Sequence, residues 1–141
     1  MNLDIINKKF TKEEARALSP LVLAFVGDAV YEVLVRIYLV DLNKDMCVNK
    51  LHKKAVDFVK ANSQSEAIRN IQQYLTEDEI AIYKRGRNAK GRIPKSATVQ
   101  DYRMATGFEA VVGFLYLTDQ KERLSNIFNT ILKMQNDNTT N

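Results

Sequence analysis

Two carboxylates stand alone in apolar surroundings. Asp28 lies in "AFVGDAVYEVLVR", residues 24–36, directly after Gly27 and close to Ala24 and Ala29. Glu109 lies in "ATGFEAVVGFLYL", residues 105–117, with Ala105 at i−4, Ala110 beside it and Gly113 at i+4. A carboxylate on a buried face costs free energy unless something pairs with it. A glycine inside a helix costs roughly 1 kcal/mol against alanine. Small residues around an acid let a second backbone or a ligand come close. Two such helices packed together would bring Asp28 and Glu109 face to face. Apposed carboxylates repel, so they need a proton, a base or a divalent cation. Oxygen-only donors point to Mg²⁺ or Mn²⁺ rather than zinc. The competing reading is two unrelated helix acids. Glu32 and Arg36 continue the Asp28 stripe at i+4 and i+8, and by themselves read as a surface ion pair.

A second feature concerns phosphate. The segment "KRGRNAKGRIPK", residues 84–95, carries six cations (Lys84, Arg85, Arg87, Lys90, Arg92 and Lys95) and no acid. Its glycines free the backbone to approach a phosphodiester chain, and Asn88 adds a polar side chain. Contact of this kind is salt-sensitive and largely blind to base sequence. The alternative is a solvated basic loop with no partner. His52, Lys53 and Lys54 form a smaller cluster. His52 is a general-base candidate, but no Ser or Cys stands near it in the pattern, and a helix-surface histidine is the plainer reading.

These residues need elements to hold them. The chain has 141 residues, enough for one sizeable core, and is 45% hydrophobic, which excludes a disordered chain. Lys and Arg outnumber Asp and Glu by 21 to 17, a formal charge of +4 that matters where it is clustered. The one cysteine, Cys47, excludes an intrachain disulfide and a Cys-based zinc site, so a reducing compartment, the cytoplasm, is expected. The first ten residues lack the apolar core of a signal peptide. The apolar run over residues 21–40 has the length of a membrane span, but Gly27, Asp28, Glu32 and Arg36 interrupt it, so a buried helix and no membrane association are expected.

Helix signals recur along the chain. Thr11 to Glu14 and Thr76 to Glu79 read as capping boxes. Ser19 and Pro20 read as an N-cap and first-turn proline opening a long helix to about residue 41. Apolar spacing predicts a helix over 48–61, a break near Asn62 and Ser63, and more helix over 64–75. Residues 86–98, with two glycines and a proline, read as a loop. Helices are predicted over 99–117 and 121–134, and the polar tail over 136–141 is expected to be disordered. No run of strands with turns is evident. The expectation is an all-α fold: a helical bundle with two long core helices, forming a single domain over residues 1–135.

At this point the residues resemble a known family. "LAFVGDAVYEVLVR" is similar to the signature helix of the ribonuclease III catalytic domain, with its Phe-x-Gly-Asp-Ala centre. "FEAVVGFLYL" is similar to the family's second acidic helix. With "LHKKA" and "KRGRNAK", and no room for a double-stranded-RNA-binding domain, the chain resembles the short bacterial form, Mini-ribonuclease III. The resemblance covers residues 18–132. It implies Mg²⁺-dependent hydrolysis of double-stranded RNA, leaving 5′ phosphate and 3′ hydroxyl ends, with Asp28 and Glu109 as catalytic metal ligands and Glu32 as an outer acid. It implies a homodimer in which Phe25 docks into the partner, with Gly27 at the interface. It also implies maturation of precursor large-subunit (23S) ribosomal RNA, with a ribosomal protein on that RNA as a further partner. Two positions depart from the family's four-acid pattern: Ala24 and Thr106 stand where ribonuclease III proper has Glu and Asp. One cation completed by RNA phosphate fits that reduced set better than a preformed two-metal site.

Two rival readings remain at this level. Loss of two acids would suit an RNA-binding ribosome-assembly factor with a degenerate site. A helical interaction module would use the basic segment against an acidic protein or membrane surface.

Overall fold

The computed structural model describes residues 3–93, 95 and 98–139. These residues form seven α-helices and one 3₁₀ turn, with no strand among them. The helices are α1 (Lys12–Arg16), α2 (Pro20–Leu42), α3 (Val48–Ser63), α4 (Glu66–Arg69), α5 (Glu77–Asn88), α6 (Val99–Leu117) and α7 (Lys121–Thr139). The 3₁₀ turn, Ile71–Tyr74, joins α4 to α5. No helix among the described residues is long and apolar enough to cross a membrane.

The caps lie where their residue types place them. The Thr11 hydroxyl accepts from the Glu14 amide at 3.1 Å, and the Glu14 carboxylate accepts from the Thr11 amide at 3.1 Å. Thr76 and Glu79 repeat this reciprocal bond at the start of α5. Ser19 accepts from the Leu21 amide at 3.2 Å, and Pro20 opens α2 where a missing N–H costs nothing.

α6 is the central rod. From Thr106 to Leu115 every residue is buried except Glu109, which keeps partial exposure. α2 and α5 lie directly against it. α7 and the short α4 add Leu124, Ile127, Phe128, Ile131, Ala67 and Ile68 to the same core. A helix enclosed on all sides shows no amphipathic stripe, which explains the continuous apolar run of "FEAVVGFLYL".

Three expectations change. Gly86 to Asn88, read as the start of a loop, are the last residues of α5. The cause is packing: a Cβ on Gly86 would lie 2.9 Å from the Gly107 Cα and 3.0 Å from the Ala110 Cβ, so Gly86 is a contact point with α6. At the other end, α7 continues past residue 134 to Thr139, and Thr140 and Asn141 lie outside the described residues. The segment over 64–75 is also less regular than its spacing implies, split into α4 and the 3₁₀ turn.

One buried ion pair ties α7 to the start of α5. Arg123 donates from Nε to Glu79 Oε2 at 2.9 Å and from Nη2 to Oε1 at 2.8 Å, and it also donates to the Tyr74 carbonyl. Burial alone raises the Glu79 pKa, but the Arg123 donors and the Thr76 amide outweigh it and hold the carboxyl below its ordinary 4.5. A depressed carboxyl contributes stability above its unfolded value and loses it as pH falls through the folded value. Arg123→Ala should therefore lower stability by roughly 2–3 kcal/mol at pH 7. The gap to wild type should close as pH falls below 4.5. Urea denaturation at a series of pH values checks this; a gap independent of pH would contradict it.

Candidate active site

The site begins as a backbone contact. A Cβ on Gly27 would lie 1.7 Å from the Glu109 carbonyl oxygen and 2.8 Å from the Gly113 nitrogen. A Cβ on Gly113 would lie 2.0 Å from the Leu23 carbonyl oxygen. α2 and α6 thus cross with main chain against main chain, and no residue larger than glycine fits either point. Gly27 is buried in this crossing. The space a side chain would take at Gly27 is filled by α6 of the same chain.

The crossing brings the two acids together. Asp28 follows Gly27, and Glu109 carries the carbonyl that Gly27 faces. Their side chains line one cleft of about 350 Å³, with Ala24, Ala105, Thr106 and Tyr102 on its walls. Asp28 is exposed and Glu109 is partly buried. Neither carboxylate makes a hydrogen bond or ion pair among the described residues. Burial first, then the charges of Asp28 and Glu32, pushes the Glu109 pKa up to about 8. Both effects disfavour the ionised form of Glu109 in the absence of a positive partner.

That arrangement fits a hard divalent cation. Both donors are carboxylate oxygens, and two of them suffice for Mg²⁺ when waters and phosphate complete the shell. Among the described residues no group of three or more His, Cys, Asp or Glu is arranged to hold a metal, so the acids are the pair and no more. Glu32 stays out of the cleft lining and pairs with Arg36 at 3.8 Å, although its charge reaches Glu109. Ala24 and Thr106 occupy the floor, and the Thr106 hydroxyl is used within its own helix, donating to the Tyr102 carbonyl at 2.8 Å.

The basic residues divide into three groups. Arg85 donates to the carbonyls of Arg16 and Leu18 at 2.9 and 3.0 Å. It fastens the end of α1 to α5 while staying exposed. Arg87 lies over the Tyr83 ring, 5.8 Å from its centroid, and donates to Asn88 Oδ1 at 3.3 Å. Lys84, Lys90, Arg92 and Lys95 are exposed. Of these, Arg92 lines the acid cleft. His52, Lys53 and Lys54 are exposed on α3 and do not line the cleft.

Sequence reading missed a buried polar pair beside the acids. Asn62 Nδ2 donates to the Tyr31 hydroxyl, and the Tyr31 ring stands edge-on to Phe108 at 5.3 Å. Burial holds the Tyr31 hydroxyl protonated well above its usual range. A tyrosine inside an apolar run is a weak signal for such a pair. Its partner, Asn62, lies in the helix-break region, where a polar residue attracts no notice.

The Ribonuclease III domain family matches residues 21–120, a span that contains both acids and the whole crossing. The chain belongs to the ribonuclease III family. It is an endoribonuclease of the ribonuclease III type. Its relatives include Mini-ribonuclease 3 of Clostridium tetani, 51% identical over 96% of this chain and 91% of that one. Mini-ribonuclease 3 of Thermoanaerobacter sp. is 52% identical over 83% and 82% of the two chains. Mini-ribonuclease 3 of Staphylococcus aureus is 42% identical over 86% and 92%. A crystal structure of a protein from Fusobacterium nucleatum shares the fold with a TM-score of 0.73 at 36% identity, covering 84% of this chain and 96% of that one. The ribonuclease III fold here turns on the glycine crossing, which is directly testable. Gly27→Ala should cost roughly 3 kcal/mol, at the upper end for overpacking, because both neighbouring atoms are backbone and cannot rotate away. Thermal denaturation checks it. An alanine variant of wild-type stability would mean that the helices separate freely.

Proposed function

We propose that this ribonuclease cleaves double-stranded RNA with Mg²⁺ or Mn²⁺ held by Asp28 and Glu109, and that its substrate is precursor 23S ribosomal RNA in the cytoplasm. One observation carries the reading: the two acids line one cleft, and neither makes a hydrogen bond or ion pair among the described residues. When bound, the cation supplies Lewis acidity at a phosphate oxygen and a more acidic water. The chain's own residues do the rest. Asp28 and Glu109 hold the cation, and burial of Glu109 strengthens its demand for a positive partner. Ala24 and Thr106 leave the cleft floor free of further negative charge, which suits an incoming phosphodiester. Lys84, Lys90 and Lys95 offer phosphate contacts on the approach. Contacts with A-form RNA would go mainly to phosphates and 2′-hydroxyls across the shallow minor groove. Residues 1–135 act as one catalytic unit on this reading. A ribosomal protein carried on the RNA is a candidate further partner.

The homodimer belongs to the same proposal. Phe25 is 79% exposed, an unusual position for so large an apolar ring. It borders a groove of about 780 Å³ lined by Val26, Val33, Tyr116, Leu124 and Phe128. Ile37 and Val40 extend the exposed apolar face along α2. A second copy related by a two-fold axis would place its Phe25 in this groove and bring two clefts to one duplex.

The departures at Ala24 and Thr106 favour one alternative, an RNA-binding assembly factor that does not cut. Incubation with a fully paired RNA, with and without Mg²⁺, separates the two. The proposal expects Mg²⁺-dependent products with 5′ phosphate and 3′ hydroxyl ends, and binding without cleavage would sink it. Asp28→Asn and Glu109→Gln should each lower the cleavage rate by ~100-fold or more while circular dichroism stays native, since a lost ligand removes several kcal/mol of transition-state stabilisation. Near-normal turnover in either variant would remove these acids from the mechanism. Phe25→Ala should weaken self-association by roughly 2–4 kcal/mol if its ring is a buried anchor. Sedimentation equilibrium measures this, and a wild-type monomer at micromolar concentration would exclude the dimer.

A further inference from the structure

Of the six cations between residues 84 and 95, Arg92 alone lines the cleft that holds Asp28 and Glu109. The other two arginines of the segment are engaged elsewhere, Arg85 on the carbonyls of Arg16 and Leu18 and Arg87 on Tyr83 and Asn88. Arg92 makes no hydrogen bond or ion pair among the described residues, although two carboxylates share its cleft. Its five N–H donors are unspent.

The position of Arg92 is set by its neighbour. A Cβ on Gly91 would lie 2.6 Å from the Tyr102 hydroxyl, so the segment passes directly over that phenol. Tyr102 stands on α6, seven residues before Glu109, and lines the same cleft. The loop that leaves α5 is thus seated on the acid-bearing helix, and the next residue along it is Arg92.

We propose that Arg92 is a catalytic residue of this ribonuclease, donating to the non-bridging oxygens of the phosphodiester as it is cut. The proposal rests on the reading of the cleft as an RNA-hydrolysis site. In the hydrolysis, the oxygen of water bonds to phosphorus and the bond from phosphorus to the 3′ oxygen breaks. The water releases one proton to solvent and the 3′ oxygen takes one up, leaving a 5′ phosphate and a 3′ hydroxyl. The non-bridging oxygens gain charge as phosphorus becomes five-coordinate. A guanidinium aimed there strengthens its hydrogen bonds in the transition state without exchanging a proton, because it stays charged at any working pH. Its planar fork matches two phosphate oxygens at once, which a lysine does not. A site with two acids in place of four carries less negative charge, and one arginine then offsets a larger share of what the phosphate brings.

The test is the kinetics of duplex-RNA cleavage at saturating Mg²⁺ for wild type, Arg92→Ala and Arg92→Lys, with Lys90→Ala as a comparison. Arg92→Ala should lower kcat by ~100-fold with little change in KM. Arg92→Lys should recover only part of the rate. Lys90→Ala should act chiefly on KM. Millimolar methylguanidinium should restore part of the rate to Arg92→Ala and none to Asp28→Asn. A rise in KM with kcat preserved would make Arg92 a binding contact and overturn the proposal, as would wild-type kinetics in Arg92→Ala. Those results leave the RNA-hydrolysis reading intact. Failure of the wild-type protein to cleave duplex RNA would instead remove that reading, and the role of Arg92 with it.

Discussion

The whole arrangement depends on two helices touching through their backbones. α2 and α6 cross at Gly27 and Gly113, where the nearest atoms are carbonyl oxygens and amide nitrogens and not side chains. At an ordinary helix separation, set by the side chains at the contact, Asp28 and Glu109 would project into different regions. At this crossing they share one cleft. The same contact explains the chemistry of Glu109. Sinking α2 onto α6 buries its carboxyl and sets Asp28 beside it, and both effects disfavour the ionised form. The glycine cost in each helix is small against what the close approach creates.

A second glycine pair repeats the device on the other side of α6. Gly86 meets Gly107, and Gly107 meets the Tyr83 carbonyl, at distances that exclude a Cβ. α5 is drawn in by this contact and stays helical through Asn88. The basic segment is therefore not one uniform surface. Its first half is helix, with Arg85 and Arg87 engaged in the fold, and its second half is the stretch that leaves α5 toward the acids. Identical side chains in one run of sequence have different tasks: Arg85 and Arg87 are engaged within the fold, and Arg92 lines the cleft.

Electrostatics divides the molecule in a similar way. The Glu79 carboxylate is buried but fully met by Arg123 and the Thr76 amide, so its charge ties α7 to α5. The Glu109 carboxylate is partly buried, yet no donor within the described residues meets it. A satisfied buried charge belongs to the fold. An unsatisfied one at a cleft wall stores a demand for a positive partner, and that demand marks the site.

Local residue chemistry determined much of this in advance. The capping boxes at Thr11 and Thr76, the Ser19–Pro20 start and the apolar periods were legible because each depends on residues within a turn of one another. The isolation of Asp28 and Glu109 among small residues was legible for the same reason, and the family resemblance rests on those short stretches. Tertiary structure decided the rest. Gly27 looks alike in sequence whether its partner is a second subunit or α6, and only the folded chain shows α6 filling the space. Gly86 next to cations reads as a loop until Gly107 and Ala110 are seen against it. Arg85, Arg87 and Arg92 differ in role by whether each reaches a carbonyl, a ring or the cleft, and the carbonyls that Arg85 meets lie 69 and 67 residues away. A glycine, an arginine or an asparagine acquires its task from what long-range packing brings within a few ångströms, and local spacing carries no record of that.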